Sequence, residues 1–348
     1  MLQQTRVDTV IPYYERFLNA FPRVERLAEA PLEDVLSLWS GLGYYRRARM
    51  LHAAARAVCE LHGGVFPRSA VELRTLPGVG RYTAGAVASI ACGERAAIVD
   101  GNVARVVARL FALHSDPTRG AGLARVWSIA EALVPANDPG TFNEALMELG
   151  ATVCTPRAPH CGTCPVAAPC QARARGLTDE LPRIQSKKAP VPVHLAALVV
   201  QRRDRVLLAH RRAESGLFAG LWEFPSVALR GSGKTADLPE RFAELVGAIP
   251  RDLVACGELV HVLSHRRLTV QVVRASLEGK IVPAAGLDGG VYDDVRFCAL
   301  SRLGTLPKAA LTDRVLALAE AQAREASGPR RAGRLTPQRA LVRSRSES

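Results

Sequence analysis

The chain has 348 residues, 48% of them apolar, enough to build a core in each of two domains and too many for a disordered polymer. No stretch approaches the roughly 18 to 20 uninterrupted apolar residues of a membrane span, and no apolar leader follows Met1, so a soluble, cytoplasmic protein without a membrane partner is expected. The formal charge of +13, from 46 basic against 33 acidic residues, favours polyanions such as nucleic acid; because only five of the 46 are Lys, it equally fits an Arg-rich composition.

Residues 1–153 read as helical throughout. In "MLQQTRVDTVIPYYERF", Val7, Val10, Ile11, Tyr14, Phe17 and Leu18 recur at steps of three and four, the period of one helix face. Similar stripes run through 44–61, 81–91, 102–113, 122–134 and 141–153, separated by the turn signals "FP", "AP", "HGGVFP", "LPGVG" and "VPANDPG".

Two of those breaks carry chemistry. "LPGVGRYTAGAVASI" puts Pro77, Gly78 and Gly80 in a tight turn before a helix starting near Arg81, where bare backbone N–H groups can approach an anion. This is the layout of a helix-hairpin-helix, which grips DNA phosphates without reading sequence; the plainer reading is a Gly-rich connection. Further on, "AAIVDGNVARVVARL" opens a helix at Asp100, ahead of Gly101 and Asn102, so Asp100 is an N-cap. The same carboxylate could stabilise an oxocarbenium-like sugar, and the two roles are compatible.

The eight cysteines do not suggest a disulfide framework in a chain this long. Cys59, Cys92, Cys256 and Cys298 are scattered and read as small buried apolar residues, whereas Cys154, Cys161, Cys164 and Cys170 fall within 17 residues. Four soft thiolates can hold one iron-sulfur cube or one tetrahedral zinc. With a single x2 gap, the 6-2-5 spacing suits a loop around a 4Fe-4S cube over residues 154–171 better than paired zinc knuckles.

Residues 172–192, Pro-rich and charged with no apolar period, read as a linker. From 193 the texture turns to β-branched runs: in "HLAALVVQRRDRVLLAHRR" two apolar runs flank a polar turn as in a hairpin, and an α+β domain is expected over 193–325. Residues 326–348 read as a disordered basic tail.

The 6-2-5 loop after a helical domain resembles that of the endonuclease III superfamily of DNA glycosylases, and the hairpin followed by Asp100 is similar too. Within it, "LWSGLGYYRRARMLHAAA" and the opening segment resemble the adenine DNA glycosylases, closely up to about residue 172 and loosely beyond. The resemblance implies an all-α helix-hairpin-helix domain, a 4Fe-4S cluster and an α+β Nudix-like domain whose most recognisable stretch is "SGLFAGLWEFP". It implies a monomer acting on double-stranded DNA, removing adenine mispaired with 8-oxoguanine or G. Asp100 would be catalytic, and Gln3, Gln4, Tyr44, Pro77, Gly78, Gly80, Tyr82 and Asn102 would contact DNA, Tyr44 as a wedge in the base stack.

Bifunctional members carry a Lys where this chain has Tyr82, and a phenol forms no imine, so a monofunctional glycosylase using water is expected. The helix "PERFAELVGAI" offers Glu240 and Glu244 but lacks the R-E-x-x-E-E pattern, so recognition of oxidised guanine is expected of the second domain rather than pyrophosphate hydrolysis. There the family's Phe-Ser-His becomes Leu263, Ser264 and His265, with an apolar contact in place of the aromatic one. The family's general-acid Glu sits two residues ahead of Met-Leu-Gln-Gln-Thr, a place that would precede Met1; a start assigned too late, at an internal Met, is the expectation. Two alternatives stand beside this reading: a glycosylase for thymine or another mismatched base, and a lesion-binding protein that does not cut.

Overall fold

A computed structural model describes residues 1–3, 5–185, 189–229, 237–278, 281 and 290–327. Gln4 and residues 328–348, which include all but the first two positions of the expected tail, lie outside the described residues. The Ala310–Ser327 helix runs across position 326, where the tail was expected to begin.

Residues 1–174 form helices without a strand among the described residues. Val7–Ala20, Val24–Glu29, Leu32–Leu38 and Arg46–His62 enclose Phe17, Val35, Leu36 and Trp39, the last edge-on to Phe17 at 6.0 Å between ring centres. A second cluster, Val58, Leu73, Leu76, Ala84 and Ala88, lies beneath the hairpin turn. A third joins Gly101–Leu110 to Gly120–Leu133 through Val103, Val107, Val126 and Trp127. The first helix departs from its apolar stripe: only Val10 and Phe17 are buried, while Val7, Ile11, Tyr14 and Leu18 are exposed.

The segment read as a linker begins as part of this unit. Gln171–Ala174 is a helical turn, and Ala172 and Leu181 are buried against Ala112. Asp116 fixes the next stretch by accepting the Gln185 N–H at 3.1 Å. The Thr118 hydroxyl and N–H at the same carboxylate hold its pKa down to about 2, so the tie is ionised at any ordinary pH. Two apolar anchors among charges and prolines gave no period to detect.

The second unit holds β1 (Val191–Val199), β2 (Gln201–Arg202), β3 (Arg205–Arg211), β4 (Trp222–Glu223), β5 (Ser226–Ala228), β6 (Pro250–Val262), β7 (Arg266–Leu277) and β8 (Tyr292–Ala299). One sheet runs β5-β1-β7-β6, with β1 parallel to β7; the other runs β2-β3-β4, with β8 also pairing β3. The Leu238–Val246 helix covers one side of the pair and Ala310–Ser327 the other. Ala197 and Val199 of β1 join one core while Ala196 and Leu198 join the opposite one, so the second half of this strand is buried on both faces.

The expected hairpin is present but short: across the polar turn Gln201 and Arg202 pair antiparallel with Val206 and Arg205, and the Leu207 N–H bonds to the Val200 carbonyl at 2.9 Å, while β1 before it belongs to the other sheet. Of the scattered cysteines, Cys256 and Cys298 are buried, but Cys59 and Cys92 are half-buried. Within "SGLFAGLWEFP", Glu223 is buried and accepts from Arg211 Nε at 2.7 Å and the Tyr292 hydroxyl at 2.6 Å, which locks β4 to β3 and β8. Burial pushes its carboxyl up, against the pull of Arg211 and Tyr292.

Candidate active site

The hairpin is built from both ends. Ser69 Oγ accepts the Glu72 N–H at 3.2 Å and donates to the Glu72 carboxylate at 2.8 Å, a side-chain N-cap that starts the Ala70–Leu73 helix. Gly78 then turns with φ +76°, and a Cβ there would stand 2.4 Å from Met50 Cβ, so both conformation and packing demand glycine. Beside Gly80 a Cβ would meet nothing within 4 Å, which leaves its backbone open to a partner. The following helix, Arg81–Ala86, is tied to the Gly120–Leu133 helix: Arg81 lies over the Trp127 ring at 3.9 Å and pairs with Glu131 at 2.6 Å.

Asp100 caps the Gly101–Leu110 helix, its Oδ1 accepting the Val103 N–H at 2.7 Å. Its Oδ2 accepts from Asn102 Nδ2 at 3.1 Å. The Tyr82 hydroxyl donates to Met147 Sδ at 3.9 Å; burial first, and then the Asp100 charge, push the phenol above its ordinary pKa, so it stays protonated. Two further acids of the helical unit, Glu15 and Glu144, stand elsewhere. Glu15 is exposed on the first helix, and Glu144 lines a separate cavity with Ser89, Gly93 and Asp138.

The N-terminal segment and the Gly41–Tyr44 turn meet next to the hairpin helix. Gln3 Nε2 donates to Thr83 Oγ1 at 3.3 Å, and Arg47 donates to the carbonyls of Gln3, Leu42 and Gly43 and to Thr5 Oγ1. Tyr44 sits at φ +49° with its ring 51% exposed, between Gly43 at φ +70° and the Arg47 guanidinium 5.4 Å from its ring centre. A non-glycine residue so placed costs about 1–3 kcal/mol and persists only where its surroundings over-determine it. Gln3, Tyr44, Tyr82, Asp100 and Asn102, remote in sequence, thus gather around one region of the helical unit.

Ser264 and His265 do not join them. They are exposed at the turn between β6 and β7, where the Leu263 N–H bonds to the Arg266 carbonyl at 2.8 Å, while Leu263 itself is half-buried against the second unit's core.

The four clustered cysteines line a single cavity with Val106, Leu110, Leu149 and Val153. Among the described residues no three of the His, Cys, Asp and Glu side chains stand as a ready metal-ligand set. Burial and then the neighbouring Cys154, Cys170 and Cys164 push the Cys161 thiol up. Four soft donors lining one apolar-walled space have the chemistry that an iron-sulfur cube needs.

Residues 1–132 match the family described as HhH-GPD superfamily base excision DNA repair protein, and residues 196–318 match the NUDIX domain. The chain is 40% identical over 350 aligned positions to the adenine DNA glycosylase of Rattus norvegicus, covering 86% of this chain and 68% of that protein. It belongs to the adenine DNA glycosylase family. The human adenine DNA glycosylase is 41% identical, with 80% of this chain and 60% of that protein covered, and the Schizosaccharomyces pombe one 37%, with 81% and 72% covered. The chain therefore spans about 60 to 70% of the length of these adenine DNA glycosylases.

Two residues that sequence reasoning passed over connect the parts of this adenine DNA glycosylase family member. Arg105 donates to Asn102 Oδ1 at 2.9 Å, to the Cys154 carbonyl at 2.8 Å and to the Gly150 carbonyl, joining the Asp100 cap to the cysteine loop. Arg109, 2% exposed, donates to Cys154 Sγ at 3.4 Å and to the carbonyls of Thr155, Pro156 and Leu181. The signal was present: two arginines four apart in "VARVVARL", on an otherwise buried helix, need internal partners.

Proposed function

We propose that the chain hydrolyses the N-glycosidic bond of adenine paired with 8-oxoguanine or G in duplex DNA, as a monofunctional, monomeric glycosylase. The observation that carries this reading is the Asp100 carboxylate, held by Val103 and Asn102, in a domain that has a phenol, Tyr82, where the bifunctional relatives carry an amine. As the bond breaks, positive charge grows on the sugar, and a carboxylate already oriented by two donors stabilises it without reorganisation. Tyr82 offers no imine-forming nitrogen, so water adds at the sugar carbon and gives up a proton, while the departing adenine takes one up at a ring nitrogen from a general acid.

Gln3, Gln4 and Asn102 contact the strand around the extruded base, Tyr44 fills the gap it leaves, and Pro77, Gly78 and Gly80 present backbone to a phosphate. Cys154, Cys161, Cys164 and Cys170 hold the 4Fe-4S cluster, which organises the loop beside the Asp100 helix. Ser264 and His265 read the oxidised guanine, with Leu263 supporting their turn from the core side. Replacing Ser264 and His265 together by Ala should lower the preference for 8-oxoguanine over G as the opposite base by about tenfold, the loss of one or two hydrogen bonds. Single-turnover excision on the two duplexes reads that ratio, and an unchanged ratio rejects the lesion-reading role.

A further inference from the structure

We propose that Tyr45 is a positioning residue that couples the second domain to insertion of Tyr44 into the base stack, an inference that rests on the adenine glycosylase reading above. The turn carrying Tyr44 needs outside support, since Gly41, Gly43 and Tyr44 all lie in the left-handed region. Part of that support comes from its own domain, where Trp39 Nε1 donates to the Gly43 carbonyl at 3.1 Å and Arg47 to the same oxygen at 3.3 Å. The rest comes from the other domain. The Tyr45 hydroxyl accepts the Gly41 N–H at 3.2 Å and donates to the Lys308 carbonyl, so one phenol oxygen joins the turn to the second domain. Ser40 Oγ adds bonds to the carbonyls of Leu306 and Lys308 at 3.5 and 3.4 Å, and Ser37 Oγ donates to the Thr305 carbonyl.

The Thr305–Lys308 segment is a firm anchor. The Pro307 carbonyl accepts the N–H of buried Trp222 at 2.8 Å, and Lys308 Nζ pairs with Asp313 at 2.8 Å. The Tyr45 ring packs against the second domain's core, the same core that supports Leu263 beneath the turn bearing Ser264 and His265. Contact with the opposite base therefore reaches, through one packed core, the side chain next to the wedge. If lesion binding favours the held arrangement, then the held arrangement favours lesion binding by the same factor. Burial pushes the Tyr45 phenol up, which keeps the proton it donates to Lys308 in place at working pH.

The test is Tyr45→Phe in the full chain, which retains the ring and removes only the hydroxyl. Two readouts are compared with the unsubstituted protein: the ratio of single-turnover adenine excision opposite 8-oxoguanine to that opposite G, and the fluorescence of 2-aminopurine placed beside the mismatch, which rises when the wedge unstacks it. The proposal predicts a ratio lowered at least about fivefold and a weaker fluorescence rise, with the unfolding midpoint little changed. It is overturned if both readouts stay at the unsubstituted values, or if excision falls equally opposite both bases while the fluorescence rise is retained, as a purely structural role would give. Absence of excision by the unsubstituted protein would reject the adenine reading instead; the fluorescence measurement, which needs binding alone, would still decide the role of Tyr45.

Discussion

Asp100→Asn is expected to lower single-turnover adenine excision by about 10³-fold or more while leaving duplex affinity within about threefold, because only the interaction made with developing charge is lost. Asn caps a helix as well as Asp does, so the bond to the Val103 N–H and the start of the Gly101–Leu110 helix can be kept. What disappears is the negative charge. The amide also brings a local conflict. Asn102 Nδ2 donates to the carboxylate now, and Asn102 cannot reverse its own amide without losing the Arg105 bond at 2.9 Å to its Oδ1. A modest fall in unfolding midpoint should accompany the loss of rate. Excision rates and duplex affinities measured side by side check this, and activity close to that of the unsubstituted protein would remove Asp100 from the chemistry.

The second large effect is expected at Arg109. Its guanidinium satisfies the carbonyls of Thr155, Pro156 and Leu181 and touches Cys154 Sγ from a position only 2% exposed. Arg109→Leu would leave three acceptors without a donor in a part of the protein that water reaches poorly. At about 1–3 kcal/mol for each unsatisfied group, partly relieved by relaxation, the variant should lose about 3–5 kcal/mol. The cysteine loop and the docked 172–185 segment should loosen together, since Arg109 holds both. Thermal unfolding and visible absorbance per protein molecule test this. A lower midpoint with weakened iron-sulfur absorbance is predicted, and an unchanged midpoint and spectrum would show that Arg109 is dispensable.

Local chemistry was legible in the sequence wherever one residue type has one good use. Glycine at 78 and a carboxylate at 100 marked a turn and a helix start, and the structure gives the reason for each in a φ of +76° and a cap bond of 2.7 Å. Pairing between distant segments was less legible. The second half of β1 is apolar on both faces because it lies inside a sheet covered on each side, so it has no alternation from which a partner can be inferred; the hairpin was legible only at its turn, where β2 meets β3, and the pairing of β1 with β5 and β7 was not. The docking of 172–185 was hidden for the opposite reason: Ala172 and Leu181 anchor this stretch singly, and isolated anchors leave no pattern. Arg105 and Arg109 were hidden by charge, because a basic residue on a helix is ordinarily solvated and only their apolar neighbours hinted otherwise.

Adenine excision carried by Asp100 is tested by single-turnover release of adenine from a duplex bearing A opposite 8-oxoguanine, with a G·T duplex as the comparison substrate. Release of adenine, abolished by Asp100→Asn and without comparable release of thymine, is the result predicted. Tight binding of the lesion duplex without release of adenine, or equal release of thymine, would contradict it.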